Sequence, residues 1–300
     1  MHSLTSFSVH APASSANLGP GFDCLGLALD RWLRVDVSPT LETGIRAIGD
    51  ADLLGGGDLV TEAMHVTAQR LGIKLPGCDI QVSSDIPVAR GLGSSAAAIV
   101  AGMRAALELA GVGPNDALMN DIGGQMEGHA DNISASVMGG VTASTLTSDG
   151  YVAVSLASEL PWTPVLFIPD SHSMTHEARG VLPGAVPLAD AAANIGRAVL
   201  LAHAISIGRA DLLREAMIDR LHQPYRACIF PHLDSTIAGA LAAGAHGASL
   251  SGAGPTVLAL CDFERAEAVA AAMAGVGAAN GVRSIVEVSS VVRRGCWVER

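Results

Sequence analysis

The segment Pro87-Val88-Ala89-Arg90-Gly91-Leu92-Gly93-Ser94-Ser95-Ala96-Ala97 constrains this 300-residue chain more than any other. It follows a β-branched run, Ile80 to Ser84, and leads into apolar positions recurring at three- and four-residue intervals over 94–110, so it reads as strand, loop, helix. Gly91 and Gly93 can take backbone conformations closed to other residues and leave room for a ligand, while the first helical turn presents unpaired N–H groups. Those donors and the positive end of the helix dipole attract anions. A triphosphate is a natural guest, with Ser94 and Ser95 offering hydroxyls to a phosphate oxygen or a magnesium ion. By itself the segment reads equally as a tight turn whose Ser94 caps the helix.

Composition removes the rival phosphate-binding designs. Lys74 is the only lysine and lies in Leu71-Gly72-Ile73-Lys74-Leu75-Pro76, so neither a Walker loop nor the lysine-bearing strand of protein kinases is present. The G-x-G-x-x-G pattern ends on Ala96, and no regular βαβ unit supports a dinucleotide site. A formal charge of −11 without a run of Lys or Arg argues against a surface that binds nucleic acid by neutralising phosphates, so no nucleic-acid partner is expected. The five cysteines are odd in number and never spaced C-x-x-C, which suggests neither a disulfide framework nor a zinc site and fits a reducing cytoplasm. No basic-then-apolar leader opens the chain and no uninterrupted apolar run approaches the roughly 20 residues of a membrane span, so no membrane partner is expected.

Apolar residues make up 49% of the chain and aromatic ones only 3%, so the expected core is large and built from small aliphatic side chains. Strands are expected near 5–10, 33–38, 79–84, 141–146, 151–156 and 164–168, mostly in the first half. Helices are expected at 59–71, 94–110, 116–127, 190–207, 210–220, 234–243 and 264–274, making the second half helix-rich. The pattern breaks at a proline within 157–163, which divides the chain into lobes 1–160 and 161–300. Strands and helices interleave without a βαβ rhythm, the mark of an α+β architecture.

Four further segments concentrate polar or glycine residues. Ala11 to Asp23 packs prolines, glycines and small polar residues into an expected loop, in which Asn17 and Asp23 could simply make turn hydrogen bonds. Glu127-Gly128-His129-Ala130-Asp131-Asn132 sets four polar groups within six residues. It reads as a helix-terminal cap cluster, or as a site where Glu127 offers Mg²⁺ a hard carboxylate oxygen. Arg179 and Arg226 lie in polar patches that a solvated helix face explains, although planar guanidinium groups also suit a carboxylate ligand. Gly247 to Thr256 is a second glycine-rich loop, readable as a plain helix-to-strand connection.

Together the five segments, in order from Val9 to about Leu260, resemble the signatures of the GHMP kinases, and in detail those of the homoserine kinases. The resemblance implies an N-terminal ATP-binding domain like ribosomal protein S5 domain 2 over 1–160 and a ferredoxin-like C-terminal domain over 161–300, with the active site between them. It implies that Pro87 to Ala97 wraps the phosphates of ATP, that Ser95 (or Ser94) and Glu127 share Mg²⁺, and that Asn17, Asp23, His129, Asp131, Asn132 and Gly252 line the substrate pocket. Arg179 and Arg226 then grip the substrate α-carboxylate. Asp58 stands where the family commonly carries an asparagine near the adenine. The implied reaction is transfer of the ATP γ-phosphoryl group to the side-chain hydroxyl of L-homoserine, a step of threonine biosynthesis, with Ser95, Glu127 and Asp23 at the chemistry. Asp23 is the nearest candidate base, but the proton is expected to pass to the phosphate itself. The alternatives are another small-molecule kinase of the superfamily or an inactive nucleotide-binding relative. Homodimers are frequent in the family, and no residue in the sequence marks an interface.

Overall fold

The computed structural model describes residues 5–48, 59–172 and 175–300. Asp58, expected near the adenine, lies outside them.

The chain opens on two long strands, Phe7–Asn17 (β1) and Gly21–Pro39 (β2), paired antiparallel from Phe7↔Val37 to Asn17↔Gly21. A register shift between Pro12 and Ala13 loops Asp30 and Arg31 out of β2 and bends it. One half of β2 can therefore pair with Cys78–Ser84 (β4), and the other with Val141–Thr147 (β5). Ile45–Ala47 (β3) joins β4, and Gly150–Ala157 (β6) extends the sheet beyond β5.

Leu59–Leu71 (α1), Ser94–Leu109 (α2), Asp116–Glu127 (α3) and Asp131–Met138 (α4) accompany this sheet, α2 and α4 packing on β1 and β2. α2 is apolar on nearly every side because it lies between the sheet and α1. Each fully buried side chain such as Met103 or Leu107 contributes about 1.5–3 kcal/mol. The two helices approach closely at Gly102, where a Cβ would stand 2.3 Å from the Val60 carbonyl oxygen.

Between β6 and Thr163–Pro169 (β7) the chain changes sheets. The second half continues with helices Thr175–Gly180 (α5), Leu188–Ile207 (α6), Leu213–Ala216 (α7), Gln223–Arg226 (α8) and Leu233–Ala242 (α9). It ends on strands Gly247–Leu250 (β8) and Val257–Cys261 (β9), helix Ala266–Ala279 (α10) and strand Ser284–Val288 (β10). The strand order β10-β7-β9-β8, every neighbour antiparallel, places the fourth strand beside the first and the third beside the second, the split βαβ pattern of ferredoxin-like sheets. α9 and α10 pack against it around Phe167, Leu233, Val269 and Met273. The final residues return to the first sheet: Leu29 bridges Val291, and Trp297–Glu299 (β11) pairs with β1.

The expected elements at 59–71, 94–110 and 116–127 match α1, α2 and α3 closely. The expected loop over 11–23 is instead two strands joined by a turn at Leu18–Pro20. Its small residues serve contact rather than flexibility, since a Cβ on Gly19 would sit 2.2 Å from the Met217 carbonyl oxygen. Helix α4 and strands β8, β10 and β11 were not expected, so the second half holds a full sheet as well as helices. The helix expected over 210–220 reduces to a single 3₁₀ turn and α7. α6 is long and apolar enough to cross a membrane by length and composition alone. It nevertheless carries Asp190 and Arg197, paired with Arg220 and Glu215, and sends Leu201, Ala204 and Ile205 into the first core.

Candidate active site

The glycine-rich segment before α2, the end of β1 and the loop after β8 meet around one cavity. The glycine-rich segment before α2 crosses the loop after β8 at Gly91, whose φ is +74° and whose added Cβ would lie 2.3 Å from the Ser251 carbonyl oxygen. Ser251 Oγ donates to Gly91 O at 2.6 Å and lies 2.8 Å from Ser15 Oγ. Gly252 N donates to Ala16 O, while Gly252 O accepts from Asn17 Nδ2 at 2.9 Å. Ser14 N donates to Leu92 O, and Arg90 Nη2 reaches the Asp170 carbonyl at the end of β7. Asn17, Asp23 and Ala89 all hold positive φ, a strained conformation that this cross-bracing sustains.

The loops enclose a cavity of about 360 Å³. Every expected residue from Pro87 to Ser95 lines it, as do Asn17, Asp23, Glu127, His129, Asp131, Asn132, Arg179, Arg226 and Gly252. Ala96 and Ala97 are fully buried in the first core instead. Leu33, Leu59, Ile99 and Met126 also line the cavity, an apolar flank that no motif signals.

At one end, α2 begins at Gly93 in a left-handed conformation (φ +69°, ψ +30°), with no side chain capping its first turn. A Cβ on Gly93 would stand 2.2 Å from Ser14 Oγ. This end of the cavity thus has uncapped amide donors and the positive helix pole. Beside it, Ser95 Oγ donates to Glu127 Oε1 at 2.5 Å. Burial pushes the Glu127 carboxyl above its ordinary pKa, against the opposing pull of His129 and the Ser95 hydrogen bond. A hydroxyl and a desolvated carboxylate side by side form a hard-oxygen donor set that fits Mg²⁺.

At the other end stand the two arginines. Arg179 closes on Asp23, Nη2 to Oδ1 at 2.6 Å and Nη1 to Oδ2 at 3.1 Å. Arg226 is 2% exposed and, among the described residues, makes no ion pair. Its Nε donates to Ala178 O, and its Nη1 to Gly252 O and His222 Nδ1. Burial first and the neighbouring Arg179 second lower its pKa to about 10. A buried cation without an acidic partner is costly, and a ligand carboxylate would offset that cost. Phe22 lies under both guanidinium carbons, at 5.4 Å from Arg179 and 5.5 Å from Arg226.

Between the two ends, His129 Nδ1 lies 2.7 Å from Asp131 Oδ1, which also accepts from Asn132 N. Burial opposes charge on this imidazole, but Asp131 together with Glu127 and Asp23 holds the His129 pKa above its ordinary value. Asn132 Oδ1 accepts from Ser14 Oγ. Asp23, His129 and Asp131 bring ligand atoms within 4.8 Å of one another, yet Arg179 and His129 already serve the two carboxylates. The polar patch that holds Arg226 also contains Asp219 and His222, to which sequence reading gave no role; both are buried behind Arg226, and a patch read as a solvated helix face does not announce buried members.

The family model described as the GHMP kinases N terminal domain matches residues 58–140, and that described as GHMP kinases C terminal matches residues 193–279. A solved structure of homoserine kinase from Cytophaga hutchinsonii superimposes with a TM-score of 0.88 at 29% identity, covering 100% of this chain and 99% of that one. Fold and loops thus define a GHMP kinase. Among curated relatives, a homoserine kinase of Desulfitobacterium hafniense is 39% identical over 97% of this chain and 99% of its own. One of Deinococcus radiodurans is 42% identical over 85% of this chain and 84% of its own. The chain belongs to the homoserine kinase family.

Proposed function

We propose that the chain transfers the γ-phosphoryl group of ATP to the side-chain hydroxyl of L-homoserine, yielding O-phospho-L-homoserine and ADP, a step toward threonine. One observation carries this reading: a single cavity has an uncapped helix N-terminus with Ser95 and Glu127 at one end and at the other Arg226, a buried cation with no ion-pair partner among the described residues. The first suits polyphosphate and the second a carboxylate, so a donor nucleotide and an amino acid can meet between them.

Phosphoryl transfer leaves little covalent work for the protein, and placement dominates. The loop from Pro87 to Ser95 holds the phosphates, and the apolar flank of Leu33, Leu59, Ile99 and Met126 suits the nucleoside. Arg179 and Arg226 hold the substrate carboxylate, while Asn17, Asp23, His129, Asp131, Asn132 and Gly252 shape the space around its amine and hydroxyl. The homoserine oxygen forms the new P–O bond as the bond to the β-phosphate breaks, and the hydroxyl proton leaves on the transferred group. Asp23 orients rather than abstracts, because both of its oxygens already face Arg179. Ser95 and Glu127 would hold Mg²⁺, which when bound neutralises charge on the phosphates.

The partner reading extends to a second copy of the chain. Leu188, Ile195 and Val199 are exposed along one line of α6, an apolar stripe suited to burial against its own copy in a homodimer. A cytoplasmic location accords with the five free cysteines.

ADP release measured against L-homoserine, L-serine, L-threonine and mevalonate tests the assignment. Turnover confined to homoserine is expected. Preference for mevalonate would move the protein elsewhere among the GHMP kinases, and ATP binding without turnover on any acceptor would make it an inactive relative.

A further inference from the structure

Behind Arg226 sits a buried group to which the reaction above gives no part. His222 is fully buried just ahead of α8. Its Nε2 lies 2.7 Å from the Gly19 carbonyl oxygen and 3.5 Å from Asp219 Oδ2. Both oxygens can only accept, so Nε2 carries the proton of the neutral ring. Nδ1 is then a lone pair, 3.0 Å from Arg226 Nη1, a group that can only donate. The ring's own position is fixed on every side. Asp219 accepts from the backbone N–H groups of Leu221, His222 and Gln223, and Phe22 stacks on the imidazole at 5.2 Å between centroids.

An uncharged acceptor here has a consequence that a carboxylate would not. An acid at this position would neutralise Arg226 and compete with any ligand carboxylate, whereas an imidazole fixes the guanidinium and leaves its charge unspent. With Nε given to Ala178 O and Nη1 shared between His222 and Gly252 O, Nη2 is the nitrogen left for the cavity that Arg226 lines.

We propose that His222, as the neutral Nε2–H tautomer, is a positioning residue that aims Arg226 and thereby sets preference for a carboxylate-bearing acceptor. The inference rests on the reading that Arg226 meets the substrate carboxylate. It places the selectivity of the site one residue behind the group that touches the ligand.

The test compares His222→Asn, which keeps an acceptor near the Nδ1 position, with His222→Gln, which keeps a donor toward Gly19 O, and with His222→Leu, which keeps neither. Each variant is assayed on L-homoserine and on 3-amino-1-propanol, the same alcohol without the carboxylate, and its thermal midpoint is recorded. His222→Leu and His222→Gln are expected to raise KM for homoserine about 10- to 100-fold with kcat changed less than about 3-fold, while kcat/KM for 3-amino-1-propanol stays near that of the parent. His222→Asn is expected to recover most of the loss. Should His222→Leu fail to fold, the Asn and Gln pair decides. Equal losses on both acceptors, or unchanged homoserine KM in both Gln and Leu, would overturn the proposal. Arg226→Gln is run alongside. If it abolishes the preference for homoserine while the His222 variants keep it, only the positioning role falls; if Arg226→Gln itself keeps the preference, the carboxylate reading falls and takes the inference with it.

Discussion

Arg179 and Asp23 form a two-pronged ion pair across the cavity, Nη2 to Oδ1 at 2.6 Å and Nη1 to Oδ2 at 3.1 Å, tying α5 to the start of β2. The pair joins the first and second halves of the chain at the wall of the candidate substrate site. Both partners are about one-third exposed, at 36% and 32%, so a ligand carboxylate can reach the guanidinium without dismantling the core.

Asp23→Asn keeps the shape of the side chain and removes its charge. Arg179 then loses the carboxylate that holds its guanidinium in place, and the pocket loses the negative charge offered to the substrate amine, so homoserine should bind about 10-fold more weakly, with kcat reduced less than KM is raised. Steady-state kinetics over a wide homoserine range check this. A fall in kcat of several orders of magnitude at constant KM would instead identify Asp23 as a base.

Glu127→Gln removes the carboxylate beside Ser95 while leaving an acceptor for its hydroxyl. Turnover should fall about 100-fold or more, and the Mg²⁺ concentration giving half-maximal rate should rise. Titrating MgCl₂ in the ADP-release assay separates the two effects, and chelation of the metal should silence the parent enzyme.

Gly93→Ala places a methyl group 2.2 Å from Ser14 Oγ at a residue whose φ is +69°. The expected cost is about 1–3 kcal/mol, from a left-handed non-glycine residue and a displaced Ser14. Stabilisation of the fold by added nucleotide should shrink as well. Thermal denaturation with and without ATP measures both, and a variant with parental stability and parental nucleotide response would contradict the crossing of loops described above.

Burial pushes the Cys296 thiol up to about 12 and the Cys78 thiol up to about 11, from an ordinary value of 9.0. A folded-state pKa above the unfolded one contributes stability that is complete below pH 9 and is lost as pH rises from there through the folded values. The protein should therefore lose stability steeply between about pH 9 and pH 12, and Cys296→Ala should flatten that slope. Denaturant titrations across this range give the slope. At neutral pH the exposed Cys228 should be alkylated well before Cys78 or Cys296.

Much of the candidate site is visible in the primary structure because it is built from contiguous segments. The glycines at 91 and 93 betray positive φ, Ser94 and Ser95 betray a helix start, and Glu127 to Asn132 is too dense in polar groups to pass for an ordinary cap. The run from Ala11 to Asp23 misled as to conformation: proline, glycine and serine suggest a loop, but strands buried on both faces also require small side chains. Strands β8, β10 and β11 are short and gain their stability from neighbours distant in the chain, so no local periodicity announces them.

The amino-acid sequence by itself determined the chemistry on offer: an anion-receptive helix start, two hard oxygen donors, two arginines, and a single lysine, Lys74, that sits in no phosphate-binding pattern. These follow from residue type and near-neighbour spacing, which backbone sterics and capping translate directly into local structure. Only the tertiary structure decided how those parts relate. It pairs Arg179 with Asp23 and, among the described residues, leaves Arg226 without an ion-pair partner, sets the neutral His222 behind it, and brings Gly91 from the loop before α2 and Ser15 from β1 onto Ser251 in the loop after β8. Such partners lie as many as 236 residues apart, and long-range packing, not propensity, selects them.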